Sequence, residues 1–314
     1  MRTLLVTGGA GFIGSHLCDR LLAEGHRVVA VDDLTKGRIA NLAEARTYGQ
    51  QFTFEHVDIR SGSVRQVFEH HRPEVVMHLA AQTSVRAGVE NPIHDASVNL
   101  LGLLNVLESA VTVGAKKVVF ASSGGTIYGE PKKLPVKETA RRGAHPGSPY
   151  GISKKAAEDY LVFYKRSRRL DFTALALANV YGPRQDPYGE AGVIAIFAAQ
   201  MLKGETPLIF GSGEQTRDYV FVEDVVDAFA RGADAGSGSL LNVGTGVETT
   251  VNELFRAMAK ISGFDGEPVH AEARPGELLR SSLDVEQARS TIGWAPWTDL
   301  DHGLRSTIAW VRGG

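Results

Sequence analysis

The stretch Thr7-Gly8-Gly9-Ala10-Gly11-Phe12-Ile13-Gly14 decides how this chain is read. Before it, Arg2 to Val6 reads as a short buried strand; after it, Ser15 to Leu22 carries apolar residues at helical spacing. Strand, glycine turn and helix in that order form a cradle for a dinucleotide pyrophosphate. Gly8 allows the sharp turn, Gly11 admits the phosphates close to the backbone, and Gly14 lets helix and strand pack closely. The helix start, with Phe12 and Ile13, offers free N–H groups to the anion. The spacing is G-x-x-G-x-x-G, not the commoner G-x-G-x-x-G, so the reading leans on its context. That context is an apolar strand, Val28 to Val31, ending in Asp32 with Asp33 beside it. A carboxylate there holds ribose hydroxyls and repels a 2′-phosphate, which favours NAD over NADP. Lys36 and Arg38 hint the other way and read more simply as solvated loop charges. A glycine turn that holds nothing is the plain alternative, and three placed glycines followed by a strand ending in Asp speak against it.

The bulk composition narrows the rest. The 314 residues are 43% hydrophobic and 22% charged, which suits a soluble globular protein of one large or two small domains. A net charge of −2 gives no electrostatic footprint for nucleic acid or an anionic membrane. Cys18 is the single cysteine, so a disulfide within the chain and a thiolate metal cluster are excluded, and no metal site is expected. It reads as a small buried hydrophobe in a reducing compartment. The N-terminus runs straight into the first strand, and no apolar run approaches the roughly 20 residues of a membrane span. A cytoplasmic protein is expected.

Along the first half, β-rich runs at Thr3–Val6, Arg27–Val31, Phe52–Val57, Val75–Leu79 and Lys117–Ala121 alternate with helical patterns at Phe12–Ala23, Val64–His71 and Asp95–Val113. That rhythm predicts parallel strands with crossover helices on both faces. A helix from Ser148-Pro149 to about Arg168, with Ser148 as its cap, and a run at Phe172–Ala178 close the parallel sheet. Beyond Tyr181-Gly182-Pro183-Arg184 the elements follow in looser order. The expected fold is α/β: a Rossmann-type doubly wound parallel sheet over 1–180, with a smaller mixed α/β substrate lobe over 181–314. Segments such as 218–245, and Asp224–Arg231 in particular, are candidates to return to the first domain.

Tyr150 and Lys154 stand one turn apart on the predicted helix, so both project from one face. A lysine ammonium near a phenol favours the phenolate, and such a tyrosine can take a proton from a substrate hydroxyl as hydride leaves the same carbon. The pair alone is weak, since tyrosine and lysine fall four apart on many helices. It gains weight from the loop Ala121-Ser122-Ser123-Gly124-Gly125-Thr126-Ile127-Tyr128-Gly129, which the fifth strand delivers to the ligand-facing edge of the sheet. Ser123 and Thr126 are candidates to bond the reacting oxygen; Ser122 is as well explained as a local backbone cap.

Six motifs, T-G-G-A-G-F-I-G, H-L-A-A-Q, S-S-G-G-T-I-Y-G, S-P-Y-G-I-S-K, N-V-Y-G-P-R and R-D-Y-V-F-V, together resemble the extended short-chain dehydrogenase/reductase family. Within it the chain is most similar to the nucleotide-sugar 4-epimerases of the UDP-galactose 4-epimerase type, from Thr3 to about Trp297. The resemblance implies that Asp58 and Ile59 flank the adenine, that Leu79, Ala80, Ala81 and Gln82 lie under the pyrophosphate and nicotinamide ribose, and that Asn99 sits near the cofactor. It implies Tyr150 as catalytic base and Lys154 as its partner and a ribose ligand. On the substrate side it implies Asn179 at the diphosphate, Arg217 and Arg274 gripping it, Phe210 beside the uracil, and Val193 in the same set. Arginines suit an anionic substrate on a protein without net positive charge; surface salt bridges are the plain alternative.

The sequence departs from the family pattern twice. Gly124 stands where many members carry a catalytic Ser or Thr, so Ser123 or Thr126 must supply the hydroxyl, with Thr126 slightly favoured for substrate contact. Ser281 stands near a pocket gate that is often bulky, which leaves room for N-acetylated sugars. The implied reaction is interconversion of UDP-glucose and UDP-galactose through a transient 4-keto sugar on bound NAD. The same chemistry on UDP-glucuronate, with Arg86 meeting the carboxylate, or on a UDP-N-acetylhexosamine is the alternative; Asp186 would oppose a carboxylate. A 4,6-dehydratase lacks its acid–base pair in Gly124-Gly125-Thr126, and a non-catalytic NAD-binding module would not need both Tyr150 and Lys154. The resemblance also implies a homodimer through Asp95–Val113 and Pro149–Arg168.

Overall fold

Alternation along the first strands gives the sheet two apolar faces. Leu4, Val6, Val28 and Ala30 enter one core, and Leu5, Val29 and Val31 enter the other, all fully buried. The computed structural model describes residues 1–188, 192–273 and 278–313. In it, β1 (Thr3–Thr7), β2 (Arg27–Asp32), β3 (Phe52–His56), β4 (Val75–His78), β5 (Lys117–Ser123) and β6 (Asp171–Leu177) are parallel. The sheet does not close at β6. A seventh strand, Ser239–Val243, pairs with β6 in parallel, giving the order Ser239–Val243, β6, β5, β4, β1, β2, β3. Leu241 and Val243 on it are fully buried, so this short run gains more against β6 than it would in a separate lobe.

One face is covered by α1 (Phe12–Ala23), the other by α2 (Ser63–His71) and a longer helical stretch. That stretch runs from α3 (Val85–Glu90) through α4 (Pro92–Ala96) and a π-helical turn at Ser97–Gly102 into α5 (Leu103–Val113). Pro92–Val113 is 22 residues long with a mean hydropathy of 1.5, so by length and composition it does reach a membrane span, against the expectation from sequence. Its apolarity has a structural cause: Leu103, Val106, Leu107 and Ala110 are fully buried against the sheet. Ile93 and Leu101 are among the apolar residues left exposed.

The helix α6 (Pro149–Arg168) lies on the same face as α5 and begins as its sequence predicts. Ser148 Oγ accepts from Gly151 N at 3.2 Å, and Pro149 takes the first turn. After β6 come α7 (Val193–Leu202), α8 (Val222–Gly232), α9 (Val251–Ser262), α10 (Glu286–Ile292) and α11 (Leu300–Gly313). α8 does not stay with its sequence neighbours; it packs beside α1, where Arg20 reaches Asp227 at 3.1 Å. Three short strand pairs complete the remainder: Asn179–Tyr181 with Tyr219–Phe221, Thr216–Arg217 with Thr249–Thr250, and Leu208–Phe210 with Val269–Ala271.

Candidate active site

The loops at the carboxyl ends of the parallel strands meet around one crevice, and the glycine loop forms its floor. Gly8 has φ +70°, and a Cβ on it would lie 2.8 Å from Ala80 N at the end of β4. A Cβ on Gly14 would run into Gly8 O, so helix and turn touch backbone to backbone. Ser15 N is bonded to Gly11 O at 3.1 Å, and α1 starts without a side-chain cap or an acidic residue. The N–H groups of Phe12, Ile13 and Gly14 therefore open along the helix axis toward an anion. This close-walled cradle, with a positive helix end and no side chain in it, fits the pyrophosphate of NAD.

Asp32, nine-tenths buried, closes the loop from the far side. Its Oδ2 accepts from Ala10 N at 3.0 Å and its Oδ1 from Leu34 N at 2.8 Å, while burial pushes its carboxyl above the usual range. Arg38 is not free to attract a phosphate, since it pairs with Asp186 at 3.2 Å. Asp33 accepts from Thr35 N at 2.9 Å. Asp58 is gripped by Arg60, whose guanidinium holds it below the usual carboxylate range, and Ile59 is buried against Gly102. Leu79, Ala80 and Ala81 follow β4 directly, and Ala80 N donates to Thr7 Oγ1 at 3.2 Å. Asn99 turns its amide on Gln82, accepting from its N (2.9 Å) and donating to its O (3.0 Å), so it fixes this loop.

Over this floor stand Tyr150 and Lys154. Lys154 is buried and donates to Ala121 O at 2.8 Å; its Nζ is 4.7 Å from the Phe120 ring centre and 5.8 Å from that of Tyr150. Burial lowers Lys154 to about 8, against the pull of Asp95 and Glu158. Tyr150 is pushed up to about 12 by burial, eased by the Ser123 side chain and raised further by Asp95. Loss of water thus acts on the phenol in the direction opposite to the one expected of a neighbouring ammonium.

The serine loop separates its three hydroxyls. Ser122 points into the core and donates to Glu158 Oε1 at 2.5 Å. Ser123 meets Tyr150, whereas Thr126 Oγ1 turns back to Ser123 O at 3.5 Å. Gly124 has a steric cause: a Cβ there would strike Leu283 Cδ1 and stand 3.2 Å from Ala176 O.

On the other rim, Asn179 is exposed and its N bonds Asp218 O at 2.9 Å. Arg217 is half-buried and its Nη1 donates to Thr216 O at 2.8 Å. Val193 begins α7 and Phe210 ends its short strand, both half-buried. Ser281 is buried. Arg86 lies on α3 with its side chain 81% exposed and paired to Glu90 at 3.0 Å. Arg274 lies outside the described residues.

Three groups that sequence reading missed hold these parts together. Asp218, fully buried, accepts from Thr245 N, Thr245 Oγ1, Gly246 N and Leu283 N at 2.7–3.1 Å, tying Arg217 to the segment that covers Gly124. Asn242, on the seventh sheet strand, accepts from Tyr128 OH at 2.6 Å and donates to Val136 O and Asp284 O. Glu158 joins Ser122 to Arg141. Only Asp218 carried a signal, a carboxylate set between Arg217 and Tyr219.

A parallel Rossmann-type sheet with a glycine cradle and a serine–tyrosine–lysine cluster at its carboxyl edge defines a dinucleotide-dependent enzyme of the short-chain dehydrogenase/reductase kind. Residues 4–244 match the NAD dependent epimerase/dehydratase family, and the chain belongs to that family. It is 49% identical over 313 residues to a UDP-glucose 4-epimerase of Mycolicibacterium smegmatis, covering 99% of both chains. Among solved structures it is similar to the UDP-glucose 4-epimerase of Thermotoga maritima with UDP-glucose, at TM-score 0.95 and 46% identity over 99% of both chains. It is likewise similar to the Thermus thermophilus UDP-glucose 4-epimerase complex with NAD, at TM-score 0.91 and 42% identity over 99% of both.

Proposed function

We propose that this chain is an isomerase that interconverts UDP-glucose and UDP-galactose at carbon 4, with NAD as its resident cofactor. The observation that carries the reading is buried Lys154, donating to Ala121 O with its ammonium 5.8 Å from the centre of the Tyr150 ring, set over the glycine cradle at the end of β5. NAD, when bound, would supply a reversible hydride acceptor for carbon 4, the sugar passing through a 4-ketone. Tyr150 takes the proton of the sugar 4-hydroxyl and later returns it. Ser123 holds the phenol and the reacting oxygen in line, and Lys154, fixed on Ala121 O, keeps a positive charge beside the forming phenolate. The cradle and Asp32 hold the dinucleotide, while Asn179, Arg217 and Arg274 hold the diphosphate about which the ketone turns. In this division residues 1–180 bind NAD and 181–314 the nucleotide sugar, with α8 and Ser239–Val243 contributing to the first part.

Arg86, the side chain suited to a glucuronate carboxylate, stands 81% exposed on α3 beside Glu90, which supports the neutral hexose. A homodimer in the cytoplasm belongs to the same proposal. Leu101, Ile152, Tyr160 and Phe163 are 59%, 55%, 40% and 49% exposed on α6 and the turn before α5, a face that a second copy would cover. Cys18 is unpaired and buried, as suits a reducing compartment.

The test is an NMR assay of purified protein with UDP-glucose, UDP-N-acetylglucosamine and UDP-glucuronate in separate tubes, without added cofactor and then with NAD. UDP-galactose should appear in the first tube, and Tyr150→Phe should retain NAD while losing at least about a hundredfold in turnover. Silence in all three tubes with NAD present would overturn the proposal.

A further inference from the structure

Beneath the tyrosine helix lies a carboxylate that neither the cradle nor the proton relay uses. Asp95, on α4, is fully buried. Its Oδ1 accepts from Ser153 Oγ at 2.7 Å and its Oδ2 from Gln82 Nε2 at 3.1 Å. Both donors are neutral. Gly88 of α3 is packed against it so tightly that a Cβ there would lie 2.9 Å from Oδ2. Ser153 is the residue between Tyr150 and Lys154 on the helix, and Gln82 ends the loop that Asn99 clamps. Asp95 therefore joins the catalytic helix to the loop after β4, and it brings a charge as well as two bonds.

From α6, Asp95 faces Tyr150 and Lys154, with Glu158 a turn further on. Glu158 is already met by Arg141 and Ser122. From α3, Arg86 and Glu90 are exposed and pair with each other. His94, on its own helix, is exposed, and Asn99 and Gln82 are neutral. The titratable groups of the site that Asp95 acts on are thus the Tyr150 phenol and the Lys154 ammonium.

We infer that Asp95 is a positioning residue whose negative charge sets the pH window of the Tyr150–Lys154 pair, beyond its mechanical hold on Ser153 and Gln82. A buried negative charge makes the phenolate a stronger base, so that it takes the sugar proton more readily, and it keeps Lys154 an ammonium. Burial lowers Lys154 and raises Tyr150, and Asp95 acts upward on both, so the net positions near 8 and near 12 include its contribution. The window in which Lys154 is charged reaches above neutral pH partly because of this carboxylate. The inference rests on the proposed epimerase reading for its kinetic arm only.

The experiment compares the chain with Asp95→Asn and Ser153→Ala, all loaded with NAD. Asp95→Asn keeps the shape and removes the charge; Ser153→Ala removes a bond and keeps the charge. Turnover is measured against pH, and Tyr150 ionisation is read from the ultraviolet tyrosinate signal, by difference from the Tyr150→Phe protein. In Asp95→Asn both limbs of the pH profile and the tyrosinate midpoint should move to lower pH by about one unit. In Ser153→Ala they should stay in place, whatever happens to the maximum. Unmoved limbs and an unmoved midpoint in Asp95→Asn, with turnover lowered at every pH, would overturn the inference and leave Asp95 a purely structural tie. Asp95→Ser, smaller and equally uncharged, supplies the same readings if the asparagine protein does not fold. If the unaltered chain shows no epimerisation, the functional reading fails, and the tyrosinate midpoint still decides the role of Asp95.

Discussion

Ser123 and Thr126 look interchangeable in sequence, since either can reach a tyrosine on the following helix. Their surroundings differ: the Thr126 hydroxyl turns back toward Ser123 O at 3.5 Å, whereas the Ser123 side chain is the one that eases the Tyr150 phenol downward. Ser123→Ala should therefore lower kcat by about a hundredfold, whereas Thr126→Val should act mainly on KM and by less than about tenfold. Steady-state kinetics on both variants checks this; equal losses in kcat would return the relay to Thr126. Gly124 belongs to the same arrangement. With Leu283 beside it, a Cβ at Gly124 would clash, and the proposed mechanism takes its hydroxyl one residue earlier, from the last position of β5.

At the scale of elements, the helices α5 and α6 serve two surfaces. Their inner faces carry Val106, Leu107, Ala157 and Leu161 into the core, and their outer faces leave Leu101, Ile152, Tyr160 and Phe163 in water. Leu101→Glu together with Phe163→Glu should turn a dimer into a monomer, read by analytical ultracentrifugation, with the fold retained in circular dichroism. A monomeric unaltered chain would remove the basis of that expectation. The same elements show what the sequence discloses. The β1–α1 turn, the strand ending in Asp32 and the Ser148 cap of α6 are legible because their causes lie within a few residues of one another. Asn242 and Asp95 are not, because Asn242 has its partners 42 or more positions away and Asp95 binds Gln82 and Ser153, 13 and 58 positions off, and a lone Asp or Asn carries no sign of such donors. The sequence reading passed over the apolarity of Pro92–Val113, which by length and composition reaches a membrane span while its core face is buried on the sheet.

At the scale of the whole molecule, the cores on the two sides of the sheet make its stability sensitive to acid. His78 is buried, with Thr7 Oγ1 on its Nδ1 at 2.8 Å and its ring stacked on Phe120. Burial and the nearby Lys154 lower it from 6.5 to about 3. Between those values the unfolded chain takes up a proton that the folded chain refuses, so stability falls as pH drops through this window. At pH 5 the loss is about 2 kcal/mol. The melting temperature should thus fall more steeply from pH 7 to 5 in the unaltered chain than in His78→Asn; parallel curves would show that this histidine does not govern the acid limit. The order of the sheet has a further consequence, for biosynthesis. β6 is complete at residue 177, but the strand that covers its outer edge ends at residue 243. A nascent chain emerging from the ribosome therefore presents an unpaired, apolar β-edge until the later segment arrives, and during that interval it is a template for mispairing with other chains. Its clean assembly depends on how quickly those intervening residues are made, and on whatever shields the edge meanwhile.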